Sequence, residues 1–391
     1  MAHRNVALVY HFFAHYRRPV LEELLEKSKH HFLLCADTNN ALMPGVTAWA
    51  PEDATRFREC RYFAVGKHLV WQTGLITLAL DRSLDTIIYL GDWKWPSTWL
   101  SALIARLRGK RILFWTHGWR GRDRGLVRGI RKNFYRLADG LLLYGNWARQ
   151  IGIDEGFSAG DLYVVYNSIA AVPAEDTVVE APDERRRELR RALFPESPEE
   201  RPVVCCSSRL RALRRLDLLL DAVSQLGAEG HPVNVLLIGD GPERGRLEER
   251  ARVLGLGVEF VGACYDESRL AEYFSISNVT VSPGDIGLTA IHSMLHGIPV
   301  ISHSNREQQG PEAEAILPDE TGDFYPDEDR ADLAVKIRKW TQTPFADPAV
   351  SRACRDLVRR YYSPEIQRKV IDAAIDAESA DVVAGRLAEV A

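Results

Sequence analysis

The most informative part of the sequence is Ser282-Pro-Gly-Asp-Ile-Gly-Leu-Thr-Ala-Ile-His-Ser-Met-Leu-His-Gly-Ile-Pro-Val300. The apolar run Asn278–Val281 predicts a strand, the two glycines predict a turn, and the spacing of apolar residues in Leu288–His296 predicts a helix. A helix that begins at a glycine turn presents unpaired backbone N–H groups and the positive end of its dipole, and both favour phosphate. The stretch therefore predicts a strand, a turn and a helix with an anion site at the turn.

Polar side chains recur along this predicted helix. At steps of four, three and four residues, one face carries Asp285, Thr289, His292 and His296. The buried face carries Leu288, Ile291 and Leu295. Two histidines on one face indicate a binding site. The alternative is a helix capped by Asp285 with its histidines on a solvated face.

In the rest of the sequence, short apolar runs alternate with helical segments along both halves of the chain. In the first half, strands are predicted at Asn5–Tyr10, His31–Cys35, Thr86–Leu90, Arg111–Thr116, Gly140–Tyr144 and Leu162–Tyr166. In the second half they are predicted at Pro202–Ser207, Val233–Ile238, Val258–Val261, Asn278–Val281 and Pro299–Ser302. This alternation indicates βαβ units and parallel sheets, so we predict an α/β fold of two doubly wound, Rossmann-like domains that face a central cleft.

The domain boundaries follow from a change in composition after Asn167. We predict an N-terminal domain at 1–171, a linker with a short helix at 172–200, and a C-terminal domain at 201–363. A final helix is predicted over Pro364–Leu387, and the C-terminal segment of about 364–391 is expected to pack back onto the N-terminal domain.

Composition limits the class of protein. The 391 residues are 46% apolar and 27% charged with a net charge of −4, which is typical of a soluble protein and gives no general attraction to nucleic acid. The six cysteines form no C-x-x-C pair, so we expect neither a zinc site nor a disulfide framework, and a cytoplasmic location. No run of 18 apolar residues occurs, so any membrane contact is expected to be peripheral, at the inner face.

Two arginines follow the first strand of the second half. Arg209 lies at the end of that strand and Arg214 at the start of the next helix, where two cations can neutralise the charge of a departing diphosphate. With Arg211 and Arg215 nearby, an exposed basic surface is the alternative. Gly239-Asp-Gly-Pro-Glu243 predicts a second turn from strand to helix.

Together these features resemble the family 4 glycosyltransferases of GT-B fold over nearly the whole chain. The motifs that carry the resemblance are Arg209-Leu with Arg214, Gly239-Asp-Gly-Pro242, Val258-Glu-Phe-Val-Gly262, and Gly287-Leu288 leading to His-Gly-Ile-Pro-Val300, with Asn167 and His117. The resemblance implies transfer of a sugar from a nucleotide diphosphate sugar to an acceptor hydroxyl with retention of configuration, without a metal or a cofactor. The acceptor class stays open among glycans, lipid-linked molecules and small molecules.

The resemblance also implies roles for single residues. Arg209 and Arg214, with the amides of Gly287 and Leu288, would hold the diphosphate, and His117 would contact the donor sugar. The loop after Gly262 would face the base, and the expected donor site also includes Gly241, Thr289 and His292. The loop between His11 and Arg18 would face the acceptor through His15, Tyr16 and Arg17.

The sequence departs from the family pattern at one point. The family carries two glutamates eight positions apart around the Gly-Leu pair, and those positions hold Gly284 and His292 here. We predict that Asp285 replaces the first carboxylate in contacting the sugar, as part of the catalytic set with His117, Arg209 and Arg214. His292 would replace the second as the ribose partner.

Two charged segments of the sequence each have two interpretations. Asp327-Glu-Asp329 matches a short metal-diphosphate pattern, but its place before a predicted helix favours a helix cap, and no metal site is predicted. Between Arg106 and Arg136 the sequence has eleven basic residues against the single acid Asp123, with Trp115, Trp119 and Phe134 interleaved. This basic run predicts either a surface for anionic lipid or a phosphorylated acceptor, or a solvated basic face.

Three other functions stay open from sequence alone. A nucleotide-sugar 2-epimerase or a phosphorylase would share the fold, although the predicted C-terminal domain at 201–363 offers only Lys336 and Lys339 for a phosphorylase's pyridoxal phosphate. The missing glutamates also allow a non-catalytic nucleotide-binding protein. A dinucleotide oxidoreductase is disfavoured, because Phe12-Phe-Ala-His15 stands where a G-x-G-x-x-G would follow the first strand.

Overall fold

The structure is a computed structural model that describes residues 3–39, 46–66, 69–168, 183–343, 345 and 347–389. The chain divides into two compact units. Unit 1 comprises Met1–Ala171 and Arg360–Ala391, and unit 2 comprises Val172–Arg359. Residues 172–182 of the predicted linker lie outside the described part of the chain.

The described residues form parallel sheets surrounded by helices. The strands are β1 (Asn5–Val9), β2 (His31–Ala36), β3 (Phe57–Glu59), β4 (Tyr62–Val65), β5 (Leu69–Gln72), β6 (Thr86–Leu90), β7 (Arg111–Thr116), β8 (Gly140–Leu143), β9 (Leu162–Val164), β10 (Val203–Ser207), β11 (Asn234–Ile238), β12 (Val258–Gly262), β13 (Val279–Ser282), β14 (Val300–His303) and β15 (Gly322–Tyr325). The α-helices are α1 (Arg18–Lys27), α2 (Leu75–Leu80), α3 (Pro96–Leu107), α4 (Gly125–Tyr135), α5 (Asn146–Asp154), α6 (Asp183–Leu193), α7 (Leu216–Ala228), α8 (Arg244–Val253), α9 (Glu267–Ser275), α10 (Thr289–Leu295), α11 (Arg330–Gln342), α12 (Pro348–Tyr361), α13 (Pro364–Ile375) and α14 (Ala380–Glu389).

Unit 1 is built on a parallel sheet of seven strands in the order β3-β2-β1-β6-β7-β8-β9. Successive side chains of a strand point to opposite faces, so the apolar strands supply two cores. Leu113 and Trp115 of β7 lie in the core that also contains Val370 and Ile371 of α13. On the other face, Phe114 packs with Phe134 of α4.

Unit 2 repeats this architecture with six parallel strands in the order β12-β11-β10-β13-β14-β15. Val204 and Cys206 of β10 lie in one core with α7 and α11, whereas Val203 and Cys205 lie in the other with α9. These two parallel-sheet units confirm the predicted α/β fold class.

Several elements were not predicted. In unit 1 these are β3, the antiparallel pair β4 and β5, and α2, and in unit 2 the omission is β15. The single helix predicted over Pro364–Leu387 is wrong, because the structure has two helices that are separated at Asp376–Ser379. Ala377 has a φ of 62° there, a left-handed conformation that interrupts the helix.

Among the described residues, none of the helices has both the length and the apolar character needed to span a bilayer.

Candidate active site

The order of strands changes direction in unit 2 between β10 and β13. These neighbours pair in parallel, with Val204 opposite Val279 and Cys205 opposite Thr280. Doubly wound sheets bind ligands at the carboxyl ends of the strands that flank such a switch point. The loop after β10 carries Arg209 and Arg214, and the loop after β13 carries the residues from Asp285 to Thr289, so the fold brings these predicted residues to one edge of the sheet.

The loops at this edge pack backbone against backbone at two glycines. A Cβ atom on Gly241 would lie 2.3 Å from the carbonyl oxygen of Leu210. On Gly284 it would lie 2.3 Å from the carbonyl oxygen of Leu213 and 2.8 Å from the Cα atom of Arg214. Only glycine allows these approaches. Gly241, predicted as a donor contact, therefore has a packing role between the loops after β11 and β10, and Gly284 has the same role between the loops after β13 and β10.

The two arginines after β10 differ in their contacts. Arg214 Nη1 donates a hydrogen bond to the carboxylate of Asp285 at 2.9 Å and another to the Asp285 carbonyl oxygen. Arg209 is exposed, and its side chain has no hydrogen bond or ion pair within the described residues. The edge therefore has one arginine that positions Asp285 and one whose guanidinium is available to a ligand.

The turn before α10 leaves backbone donors open. Ile286 N donates to Gln309 Oε1 at 2.9 Å, and the Thr289 hydroxyl donates to the carbonyl oxygen of Ser207 at 2.8 Å. Within the described part of the chain, the N–H groups of Gly287 and Leu288 donate no hydrogen bond. No atom lies within 4 Å of a Cβ built on Gly287, so the space beside this residue is open.

The α10 helix does not have the two simple faces that the sequence predicts. Ala290, Ile291, Ser293, Met294 and Leu295 are all buried, whereas Leu288, predicted buried, is half-buried. Both histidines are half-buried rather than solvated.

The two histidines have different environments. His292 Nε2 lies 2.9 Å from Glu267 Oε2, and this hydrogen bond lowers the pKa of the Glu267 carboxyl. The ring of His296 stacks on Phe274 with 5.2 Å between centroids. Burial and the neighbouring His292 lower the pKa of His296 to about 4. A carboxylate therefore stands beside His292, supplied by the first residue of α9.

The third predicted donor segment contains Gly262. Gly262 has a φ of 78°, and its carbonyl oxygen accepts a hydrogen bond from Gly239 N at 2.8 Å. This bond joins the turns that follow β11 and β12. Arg244 Nη2 donates to the carbonyl oxygen of Phe260 at 3.1 Å and so braces the same turn.

His117 in unit 1 directly follows β7 and is exposed. Its ring lies 4.6 Å from the ring of Tyr144, centroid to centroid. Neighbouring protein atoms displace part of its water shell, and this desolvation, followed by the charges of Arg120 and Arg17, lowers the pKa of His117. His117 is therefore a neutral imidazole at neutral pH, able to donate through one ring nitrogen and accept through the other.

The predicted acceptor residues follow β1, at the same edge of the unit 1 sheet. His15 is exposed and Tyr16 is half-buried, but Arg17 is buried. The Arg17 guanidinium lies 4.5 Å from the ring centroid of Tyr10 and 4.8 Å from that of Trp115, and it donates a hydrogen bond to the Tyr144 hydroxyl. These contacts make Arg17 a cation held among aromatic rings.

The acidic sequence 327–329 acts in the local structure. Asp329 caps α11 by accepting a hydrogen bond from Asp332 N at 3.0 Å, as predicted. Glu328 pairs with Arg215 at 2.8 Å, and Asp327 accepts a hydrogen bond from Asn305 at 3.0 Å.

Sequence reasoning missed two residues at this edge. Glu267 pairs with His292, and Gln309 holds Ile286 while its amide nitrogen donates to Ser302 and His303. The only available signal for Glu267 was its position after the capping residue Asp266. Nothing in the sequence indicates that Gln309 is buried in a different loop from the turn that it holds.

Comparison with known proteins adds to this geometry. Residues 190–355 match the family described as "Glycosyl transferases group 1". A 120-residue segment is 31% identical to a GDP-mannose-dependent alpha-(1-6)-phosphatidylinositol dimannoside mannosyltransferase of Mycobacterium tuberculosis. That segment is 30% of this chain and 31% of the relative, so the match spans less than a third of the relative's length.

Three solved structures are similar over nearly the whole chain. A lipopolysaccharide outer core galactosyltransferase, WaaB, has a TM-score of 0.67 at 17% identity and covers 95% of this chain and 99% of its own. Anabaena Alr3699/HepE in complex with UDP has a TM-score of 0.70 at 14% identity and covers 96% and 100%. A glycosyltransferase from Rickettsia africae has a TM-score of 0.71 at 16% identity and covers 96% and 99%. The chain therefore has a GT-B fold, in which residues 190–355 match the glycosyl transferases group 1.

Proposed function

We propose that this protein is a glycosyltransferase that moves a sugar from a nucleotide diphosphate sugar to an acceptor hydroxyl, with retention of anomeric configuration and without a metal. The observation that carries the proposal is the switch point of unit 2. There the exposed Arg209 and the open amides of Gly287 and Leu288 are brought to one edge of the sheet. The match of residues 190–355 to the glycosyl transferases group 1 covers this edge.

The chemistry follows from these donors. Breaking the bond between sugar and diphosphate places negative charge on the leaving phosphate. A guanidinium and backbone N–H groups stabilise that charge more in the transition state than in the bound donor. In the retaining reaction that we propose, the acceptor attacks the face from which the diphosphate departs. The leaving oxygen then takes the acceptor's proton, so no carboxylate base is required.

Donor recognition is proposed to use two pairs in place of the absent glutamates. Asp285, held by Arg214, would contact the sugar hydroxyls. His292, oriented by Glu267, would bind the ribose. A hydrogen bond to the carboxylate fixes the imidazole ring and leaves its other nitrogen for a ligand, as carboxylate–histidine pairs do elsewhere.

The acceptor side is proposed to include His15 and Tyr16, with Arg17 fixed among the rings of Tyr10, Trp115 and Tyr144. His117 is proposed to contact the donor sugar. The acceptor can be a glycan, a lipid-linked molecule or a small molecule. One curated relative is named for a phosphatidylinositol dimannoside, which makes a lipid-linked glycan the first acceptor to test.

A peripheral membrane contact through the basic run is part of the proposal, at the cytoplasmic face. The α4 helix exposes Leu126, Val127 and Ile130. Arg120, Arg124 and Arg136 have no ion pair among the described residues. By contrast, Arg122 pairs with Asp154, the last residue of α5, and Arg128 pairs with the next residue, Glu155. These two acids lie outside the Arg106–Arg136 segment, so the charge count of that segment did not include them. An apolar stripe flanked by arginines is typical of surfaces that bind anionic lipid.

The test begins with a thermal-shift panel of UDP, GDP and their sugars, because ligands stabilise the folded protein. Any stabilising donor is then incubated with and without acceptors, and the product is analysed by NMR. A transferred sugar of the donor's anomeric configuration, formed equally in chelator, is expected. An inverted anomer or loss of activity in chelator would contradict the retaining, metal-free reaction, and an isomerised sugar without acceptor would indicate an epimerase.

A further inference from the structure

A cavity of about 820 Å³ lies in unit 1, and its lining includes Arg106, Arg108, Lys110 and Arg111 from the start of the basic run. It is lined by the residues at the amino ends of β1, β6, β7 and β8, whereas His117 and the His15 loop follow the carboxyl ends of β7 and β1. The cavity is therefore at the opposite edge of the sheet from the proposed acceptor residues. Its volume is within the usual range of small-molecule sites, about 300–1,000 Å³.

The lining of this cavity is strongly basic. Its six cationic side chains are Arg4, Arg82, Arg106, Arg108, Lys110 and Arg111. Its two carboxylates, Asp85 and Asp139, already accept hydrogen bonds from the backbone at 2.8 Å, from Asn5 N and Ile112 N respectively. Asp139 also pairs with Arg106 at 3.6 Å. Two carboxylates against six cations offset only part of the positive charge.

The basic residues fall into two groups by their contacts. Lys110 donates to the carbonyl oxygens of Asp81 and Leu84, Arg106 to that of Leu137 and Arg111 to that of Ala374. In contrast, the side chains of Arg4, Arg82 and Arg108 have no hydrogen bond or ion pair with the rest of the described chain. These three arginines can therefore bind a ligand without breaking an existing hydrogen bond or ion pair.

The cations also act on one another. Burial lowers the pKa of Lys110, and the positive charge of Arg108 lowers it further. A concave surface lined by one sign of charge concentrates the field and attracts counter-ions. An anion in the cavity would relieve the repulsion between these side chains, and arginine forks match the oxygens of phosphate.

We infer that this cavity is a binding site for a ligand that carries phosphate groups, distinct from the proposed donor site. The volume exceeds what a single phosphate needs, so the ligand carries several phosphates or a phosphate on a larger body. This chemistry has two sources, a free polyphosphate or the headgroup of an anionic lipid. The inference does not depend on glycosyl transfer.

The experiment measures the binding of inorganic triphosphate to the full chain by calorimetry at low and high salt. We expect the double variant Arg82→Gln/Arg108→Gln to weaken binding about tenfold for each arginine, the loss expected for one charged hydrogen bond. The matched control is Arg338→Gln/Arg352→Gln, which removes two exposed charges from unit 2. Unchanged thermal unfolding of both variants will show that the fold is intact.

A second arm identifies the source of the phosphate. Flotation with phosphatidylglycerol vesicles, against phosphatidylcholine vesicles, measures headgroup binding. If the cavity variant loses triphosphate binding and the unit 2 control does not, the result supports a free ligand. If the cavity variant loses vesicle binding and the control does not, the result supports a lipid. The inference is overturned if the cavity variant weakens neither kind of binding more than the unit 2 control does.

Discussion

Glu267 Oε2 lies 2.9 Å from His292 Nε2, which joins the start of α9 to the middle of α10. We expect Glu267→Gln to weaken nucleotide diphosphate binding about tenfold, because an amide orients the imidazole less strongly than a carboxylate does. Calorimetry with the preferred nucleotide measures the loss. The control is Glu320→Gln, an exposed glutamate of the same unit. Equal affinity in the wild type and Glu267→Gln would show that the pair has no role in donor binding.

Arg209 provides a test of the diphosphate site itself. We expect Arg209→Gln to lower kcat/KM by about a hundredfold or more, the effect of losing one preorganised donor to a leaving group. Arg211→Gln is the matched control, since Arg211 is exposed two residues away. Steady-state kinetics would distinguish the two explanations, because similar losses in both variants would indicate a general basic surface instead of a specific contact.

Gly284 and Gly287 lie three residues apart, and we expect substitution of the two glycines by alanine to have different effects on stability. A Cβ on Gly284 would meet the Leu213 carbonyl oxygen at 2.3 Å, whereas one on Gly287 would meet no atom within 4 Å. Neither residue has a positive φ, so backbone strain does not differ between them. Gly284→Ala should lower the free energy of unfolding by about 1–3 kcal/mol, and Gly287→Ala should leave it nearly unchanged. Urea unfolding provides the comparison, and equal stabilities would refute the close approach.

Stability is expected to fall in mild acid because of two histidines. Burial lowers the pKa of His11 and of His296 to about 4 in the folded protein, from 6.5. Between these values the unfolded chain binds more protons than the folded one, so the free energy of unfolding decreases as pH falls from 6.5 to 4. Each histidine contributes on the order of 2 kcal/mol.

The variant His296→Gln removes one of these titrating groups. Urea unfolding at pH 5 and pH 7 should then show a smaller difference than in the wild type. His15→Gln, which changes an exposed histidine, is the control. If both variants keep the full pH dependence, His296 is not responsible for any part of it.

The α4 surface gives a prediction about lipid. Leu126 is 85% exposed and Ile130 is 41% exposed, although both are apolar. The double variant Leu126→Glu/Ile130→Glu should reduce sedimentation with anionic vesicles by at least about tenfold, because it removes apolar contact and adds repulsion. Val253→Glu/Val335→Glu makes the same change on exposed sites of unit 2. Equal vesicle binding by both double variants would exclude α4 as the contact.

Much of the fold could be predicted because the central strands are strongly apolar and lie between periodic helices. β7, Arg111–Thr116, was predicted with its observed bounds. The omitted elements lack these signals. β3 has three residues and no buried side chain, and α2 has only six residues, too few for a helical period. The break at Ala377 has a left-handed residue but neither glycine nor proline to mark it in the sequence.

The candidate site was predictable to the extent that it depends on neighbours in sequence. The carboxyl ends of parallel strands lie at one edge of a sheet, so the predicted parallel sheet already places Arg209 and Gly287 at the same edge. The order of the strands is known only from the structure. The partners of the site residues could not be inferred in this way. Glu267 is 25 residues from His292, and Arg214 is 71 residues from Asp285, so these contacts depend on side-chain positions that no local pattern records.

Unit 1 is assembled from two separate stretches of chain, and α13 completes one of its cores with Val370 and Ile371. Unit 2 is continuous from Val172 to Arg359. Unit 2 therefore lies in the sequence like an insertion within unit 1. A protein truncated before residue 364 would lack α13, and the face of the unit 1 sheet that α13 covers would be exposed. Unit 2 is one continuous segment, so it can be expressed as a single chain. Studies of the isolated halves should therefore begin with the nucleotide-binding candidate, unit 2.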